Sequence, residues 1–182
     1  MTKSRTTVFF LLLAFFSLVQ AETLTGRVVR VTDGDTIVVL DANKVQHKIR
    51  LQGIDAPERG QAFGTKSKEH LSDLVAGKSV VVDYSKSDRY QRILGKVLVN
   101  GEDVNLEQIE AGMAWHYKKY QGEQSSSDRV AYSDAELEAR RHKLGLWHDP
   151  NPVPPWEYRQ AKRKHMNGLK SFIGKSTVRG AQ

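Results

Sequence analysis

The chain of 182 residues contains no cysteine, so no disulfide can staple it in any compartment, and its stability must come from packing or from packing together with a bound ion. Its five prolines are nearly absent from the body and crowd into the segment from Asp149 to Pro155, which reads as a stiff connector. Acidic groups are missing from residues 1–21 and number one in residues 151–182. No apolar run is long enough for an ordinary membrane span; the run from Val8 to Val19 covers only about a dozen residues. Internal repeats and low-complexity blocks are absent as well.

What is present begins with that short run. Lys3 and Arg5 precede it and Gln20 and Ala21 follow, the pattern of a secretory signal peptide cleaved after Ala21. The alternative is an uncleaved anchor, disfavoured by the polar chain that follows directly. The expected protein is therefore secreted or periplasmic, with no stable membrane anchor. Removing residues 1–21 leaves 161, enough for a single domain with a real core, expected to be a monomer.

The formal net charge of +7 is unevenly placed. Residues 22–150 carry 19 Lys or Arg against 20 Asp or Glu, whereas residues 151–182 carry seven against one. The body is nearly neutral and the tail strongly basic, which suits a polyanion such as nucleic acid or an anionic membrane surface. A solvated basic end without a partner is the plainer reading of the same residues.

From Leu24 to Leu51 the residues alternate or run β-branched, with turn signals at Asp33–Gly34 and Asp41–Asn43, so three antiparallel strands are expected. In the third, Val45, His47, Ile49 and Leu51 share the apolar face, and Gln46, Lys48 and Arg50 share the other. A helix is expected over Thr65–Ala76, ended by Gly77, and two more strands over Ser79–Tyr84 and Ile93–Val99. Asp103 or Asn105 can cap a second helix reaching Ala111, and the serines from Ser125 can cap a third reaching Lys143. The basic stretch from Trp156 to His165 has helical character. Together these elements predict an α+β fold: a five-stranded barrel of the oligonucleotide-binding (OB) type with three helices, plus a basic C-terminal extension. The expected division is residues 1–21 as signal peptide, 22–149 as the barrel domain, and 150–182 as connector and tail.

Three short stretches carry the chemistry. Asp33 and Asp35 flank Gly34 in a turn, where two carboxylates repel unless a cation intervenes. Hard oxygen donors without nearby His or Cys favour calcium or magnesium. Asp55 and Glu58 lie just past the Arg50 strand, with Pro57 stiffening the backbone between them, and Arg89, Tyr90 and Arg92 lie between the other two strands. Taken singly, these are an ordinary turn, a surface salt bridge and a solvated hairpin.

In their order and spacing the three stretches resemble the thermonuclease family, of which staphylococcal nuclease is the familiar member, from about Leu24 to Trp147. The resemblance implies that Asp35 and Asp55 ligate Ca2+ through carboxylates, that Ala56 adds its backbone carbonyl, and that Asp33 supports the ion from nearby. Two carboxylates alone imply weak binding, on the order of 10⁻⁴ to 10⁻³ M. Glu58 matches the carboxylate that orients or deprotonates the attacking water, and Arg50 and Arg92 match the two arginines that clamp the scissile phosphate. Arg89, Tyr90 and Tyr120 match substrate-contacting positions.

The implied reaction is calcium-dependent hydrolysis of DNA and RNA, without sugar preference, leaving 3′-phosphate ends. The chain departs from the family pattern in three places. Lys118 stands where the family has a tyrosine, with Tyr117 as a possible substitute; Gln91 replaces a glycine between Tyr90 and Arg92; and the loop after Glu58 is short. His116 is expected to pack rather than touch substrate. A catalytically silent nucleic-acid-binding barrel would be expected to lack one or more of Asp35, Arg50, Asp55, Glu58 and Arg92. A third reading, an adhesin or membrane-associated scaffold, would rest on the basic tail alone.

Overall fold

The computed structural model describes residues 22–179, with side chains through residue 168; the expected signal peptide lies outside the described residues. Strands β1 (Glu22–Asp33), β2 (Thr36–Leu40) and β3 (Gln46–Leu51) form an antiparallel meander. β1 is long because it serves two partners. Its second half pairs with β2, and its first half pairs with a later strand, with register shifts between Val28 and Arg30 and between Val31 and Asp33. Such bulges bend a strand and sharpen its twist, which turns a flat sheet into a barrel.

After β3 come β4 (Ile54–Asp55) and helix α1 (Gly64–Val75), then β5 (Ser79–Ser87) and β6 (Ile93–Val99). β5 returns to pair with β1, and β6 pairs antiparallel with β5. β6 also closes the barrel by running parallel to β3, with Arg50 opposite Leu94 and Leu51 opposite Gly95. The result is a five-stranded mixed barrel, as the alternation of the sequence predicts. The parallel seam matters most for function, because it brings Arg50 of β3 beside the start of β6, just after Arg92.

β7 (Glu102–Asp103) leads into α2 (Val104–Glu110), whose orphan amides at Asn105 and Leu106 donate to Asp103 Oδ1 at 2.9 and 3.1 Å. β8 (Trp115–His116) pairs with β4, placing Asp55 opposite Trp115. A 3-10 segment over Lys118–Glu123 precedes α3 (Ser126–Arg141), capped by Ser125 Oγ, which accepts from Asp128 N at 3.0 Å. A 3-10 turn at Gly145–His148 and the proline connector then lead to a fourth helix, α4 (Pro155–Arg179). Pro155 at its first position loses no hydrogen bond there and its fixed φ suits a helix start.

The core joins Ile37, Val39, Ile49 and Leu51 of the meander with Val80, Val82 and Val97, and α1 covers it with Leu71 and Val75. Truncating Leu71, which is fully buried, would be expected to cost about 2–5 kcal/mol. A second cluster joins Trp115, Ala139, Leu146 and Trp147, with Phe63 and Trp156 packed against it. Trp156 thus ties the start of α4 to the barrel domain.

Candidate active site

The turn between β1 and β2 carries Asp33 and Asp35 and is held from below. A Cβ on Gly34 would lie 1.9 Å from Ser67 Oγ and 2.9 Å from the Ala56 side chain, so the glycine is required for α1 and the β4 segment to approach this closely. The buried Gln108 of α2 then donates its amide to Gly34 O at 2.6 Å and to Ser67 O at 3.2 Å. His70 Nδ1 pairs with Gln108 Oε1 and completes this support. Neither Gln108 nor Ser67 is among the residues that the sequence motifs pick out.

Above this support, Asp35 is buried and Asp55 is completely so. Arg50 links them: Nη1 lies 2.8 Å from Asp35 Oδ2 and Nη2 lies 2.9 Å from Asp55 Oδ1. The amide of Ala56 donates to Asp35 Oδ2 at 2.8 Å, the Thr36 hydroxyl to Oδ1 at 3.0 Å, and the amide of Asp35 to Asp33 Oδ1 at 3.2 Å. Burial pushes the Asp35 carboxyl up from 3.8 to about 7; Arg50 opposes the rise, whereas the Asp33 and Asp55 charges add to it. Burial thus disfavours the charged form of Asp35, and the ligand atoms gathered here are all oxygens. That combination fits a hard divalent cation. Among the described residues no group of three or more His, Cys, Asp or Glu side chains is gathered as a ready-made metal cage.

The Asp88–Arg92 hairpin forms the other side. Asp88 organises it, accepting at Oδ1 from the amides of Tyr90 at 2.8 Å and Arg92 at 3.0 Å, and at Oδ2 from Arg92 Nε at 2.8 Å. Gln91, where the family has a glycine, adopts φ 60°, the left-handed conformation that a glycine would take without steric penalty. The hairpin therefore keeps a glycine-like path at that position. Tyr90 is exposed, with the Arg89 and Arg92 guanidinium carbons 5.0 and 5.5 Å from its ring centroid.

All these groups line one cleft of 890 Å³, which gathers Asp33, Asp35, Arg50, Ala56, Glu58, Arg89, Tyr90, Arg92 and Tyr120. Asp55 does not itself line the cleft; it is completely buried behind it and paired with Arg50. Lys118 turns out of the cleft to pair with the buried Glu136, while Tyr117 lines it, so the substitution leaves an aromatic ring at the site one position earlier. His116 is buried and bonds through Nε2 to Gln124 Oε1 at 2.9 Å; burial lowers its pKa and favours the neutral ring, consistent with packing.

One wall of the cleft comes from a part of the chain that the motifs do not reach. Trp156 at the start of α4 stacks on Tyr117, ring centroids 5.5 Å apart and planes 14° from parallel, and Tyr117 meets Tyr120 edge-on at 5.1 Å. One helical turn on, Arg159 Nη1 donates to Asp55 Oδ1 at 3.0 Å and to Glu58 Oε1 at 2.7 Å, and Nη2 donates to Asp55 Oδ2 at 2.7 Å. The bonds to Asp55 raise the Arg159 pKa; burial opposes them and the bond to Glu58 adds. The only sequence signal for this wall was the aromatic and basic composition of the stretch from Trp156.

Comparison with known proteins agrees with this geometry. Residues 48–149 match the family model described as staphylococcal nuclease homologue. The chain is 49% identical over 138 residues to an uncharacterized endonuclease of Escherichia coli, covering 75% of this chain and 86% of that protein. It is 42% identical over 151 residues to a micrococcal nuclease of Shigella flexneri, covering 78% and 84% respectively. A further uncharacterized endonuclease, from Haemophilus influenzae, is 42% identical over 158 residues and covers 85% of each chain. With the motif residues gathered in one cleft on the expected barrel, the chain belongs to the staphylococcal nuclease family and is a nuclease, a hydrolase of phosphodiester bonds.

Proposed function

We propose that the protein is an exported, calcium-dependent nuclease that hydrolyses DNA and RNA without sugar preference and leaves 3′-phosphate ends. The observation that carries this reading is the convergence of Asp35, Arg50, Glu58 and Arg92 on one cleft, with the buried Asp55 paired to Arg50. Asp35 and Asp55, with the Ala56 carbonyl, would hold Ca2+, with Asp33 supporting Asp35 through its amide. The bound ion would polarise a phosphoryl oxygen and help orient water.

The chain's own groups do the rest. Arg50 and Arg92 offer forked N–H donors to the non-bridging phosphate oxygens, where negative charge grows in the transition state. The water oxygen attacks phosphorus and the P–O5′ bond breaks, giving a 3′-phosphate and a 5′-hydroxyl. The proton of the water passes to the Glu58 carboxylate, and the leaving oxygen takes a proton from solvent. Tyr90, Tyr117 and Tyr120 present faces on which bases stack without selection among them, which supports broad substrate scope. Arg89, whose guanidinium carbon lies 5.0 Å from the Tyr90 ring centroid, would hold a flanking phosphate.

Export rests on residues 1–21. No helix among the described residues is long and apolar enough to cross a membrane. Mass spectrometry of the protein recovered from outside the cytoplasm should give a chain beginning at Glu22. The nuclease reading is tested with single-stranded DNA in calcium or in chelator, followed by analysis of the product ends. Cleavage that survives the chelator, or that survives Glu58→Ala, would refute the mechanism.

A further inference from the structure

Asp55 is completely buried, and both of its oxygens are already bonded to guanidinium groups: Oδ1 to Arg50 and Arg159, Oδ2 to Arg159. Glu58 Oε1 is held by the same Arg159. One side chain from α4 thus neutralises the two carboxylates that the nuclease reading assigns to the cation and to the attacking water. A divalent ion within about 2.3–2.6 Å of an Asp55 oxygen would meet the Arg159 guanidinium at the same two atoms, and the two cations repel at that range. Its binding favours a state in which Arg159 has moved off.

Where the guanidinium can go is limited by how firmly its helix is anchored. Trp156 is wedged between Trp115, edge-on at 5.5 Å, and Tyr117, stacked at 5.5 Å. Pro155 is buried, and Gln61 Nε2 donates to Val153 O at 2.6 Å just before the helix. The backbone of this turn is fixed, so only the long Arg159 side chain is free to swing. Trp156, Arg159 and Arg163 follow one another at helical spacing and all line the same cleft as Arg50 and Arg92, with Arg159 and Arg50 meeting at Asp55 Oδ1. A guanidinium released from Asp55 therefore remains in the space that a phosphodiester would occupy.

We propose that Arg159 is a further substrate-binding residue of this nuclease, parked on Asp55 and Glu58 until a divalent cation takes Asp55, and then turned onto the phosphate. This rests on the calcium reading above. It assigns to the C-terminal extension a part of the active site rather than a tether alone. It also makes cation and nucleic acid cooperative, because the cation releases a donor that the substrate then captures. Metal affinity without nucleic acid is lowered by the parked guanidinium, and substrate affinity with metal is raised by the released one.

The test uses the whole purified chain and two binding measurements, neither of which reads activity. Calcium affinity is measured by titration calorimetry without nucleic acid. Binding of a single-stranded phosphorothioate oligonucleotide in saturating calcium is measured by fluorescence anisotropy. Arg159→Gln should bind calcium about tenfold more tightly and the oligonucleotide about tenfold more weakly, a coupling of ordinary size. Arg163→Gln removes the same charge one turn away; it should weaken the oligonucleotide and leave calcium unchanged. Arg159→Lys should fall between the wild type and Arg159→Gln in both measurements, and decides by the same two signs if the Gln variant does not fold. Calcium affinity unchanged or reduced in the Arg159 variants would make the residue a structural pin and overturn the proposal. So would an unchanged oligonucleotide affinity, or an equal calcium gain in Arg163→Gln. Absence of calcium binding by every protein, with oligonucleotide binding intact, would refute the calcium reading itself and this inference with it.

Discussion

The side-chain amide of Gln108 donates to the carbonyl of Gly34 at 2.6 Å, and so fastens helix α2 to the turn that carries Asp33 and Asp35. The two residues lie 74 positions apart. Gln108→Leu keeps the volume and removes the donor, leaving the buried carbonyls of Gly34 and Ser67 and the ring of His70 with a partner lost. The expected destabilisation is about 1–3 kcal/mol, read from denaturant unfolding. Because the turn loosens, calcium affinity should fall as well. A variant that loses stability but binds calcium as before would separate the support of the turn from the geometry of the site.

The Asp88 hairpin supplies a pH test. Burial raises the Asp88 carboxyl, but the amide and guanidinium of Arg92 and the amide of Tyr90 outweigh it, and the net shift is below the ordinary 3.8. A carboxyl depressed on folding contributes stability that is present above its unfolded value and lost as the pH falls through its folded value. Asp88→Asn should therefore melt below the wild type at neutral pH. The gap should begin to close as the pH drops below about 4, and vanish once both states are protonated. Parallel melting curves down to pH 2 would refute the role given to Asp88.

Arg50 and Arg92 differ in how they are held. Arg50 is pinned by Asp35 and Asp55 at the floor, whereas Arg92 is held by Asp88 on the rim. Replacing either by Lys keeps one charge and loses the fork. The expected fall in kcat is about 10²–10³, the scale of a lost oxyanion donor. Arg50→Lys should in addition lower the melting temperature, because two buried carboxylates lose a bidentate partner; Arg92→Lys should do so less. Steady-state kinetics and thermal melts on the two variants check both statements.

At the aromatic edge, Tyr117 lines the cleft while Lys118 is drawn away to Glu136. Tyr117→Ala should weaken single-stranded oligonucleotide binding by about 1–3 kcal/mol if a base stacks there. Lys118→Ala should leave that affinity nearly unchanged and instead reduce stability, since Glu136 is buried and would keep only the more distant Arg140 and the amide of His116. Reversal of these two phenotypes would show that the lysine has taken over the substrate-facing place.

The barrel and the motif residues were legible because their signals are local. Alternation exposes strands, so Ile49 and Leu51 face inward while Arg50 faces the cleft, and the capping residues Asp103 and Ser125 lie next to the helices they start. Gln91 was legible as a departure, but its left-handed φ was not, because propensity says only what a residue prefers and the surrounding hairpin decides. Gln108 and Arg159 were illegible for a different reason. Their partners are 74 and 104 positions away, and nothing in periodicity or spacing encodes a contact made only after the helices dock. The stretch around Trp156 reads as a basic tail because charge is visible in a sequence and the stacking of Trp156 on Tyr117 is not.

That docking divides the extension into two parts with separate expected effects on nucleic acid. Trp156 and Arg159 belong to the cleft, whereas Lys162, Arg163 and Lys164 are exposed along the next turns of α4. Cations that neutralise phosphates release counterions, so each contributes about 0.7 to the slope of log affinity against log salt on a single strand. Replacing Lys162, Arg163 and Lys164 together by Gln should reduce that slope by up to about 2, measured on long single-stranded DNA in chelator. Cleavage of a short substrate by the same variant should change far less, because only Arg163 of the three lines the cleft. An unchanged salt slope would mean that these residues do not meet the strand. The nearly neutral body would then have to draw its substrate through the cleft arginines alone.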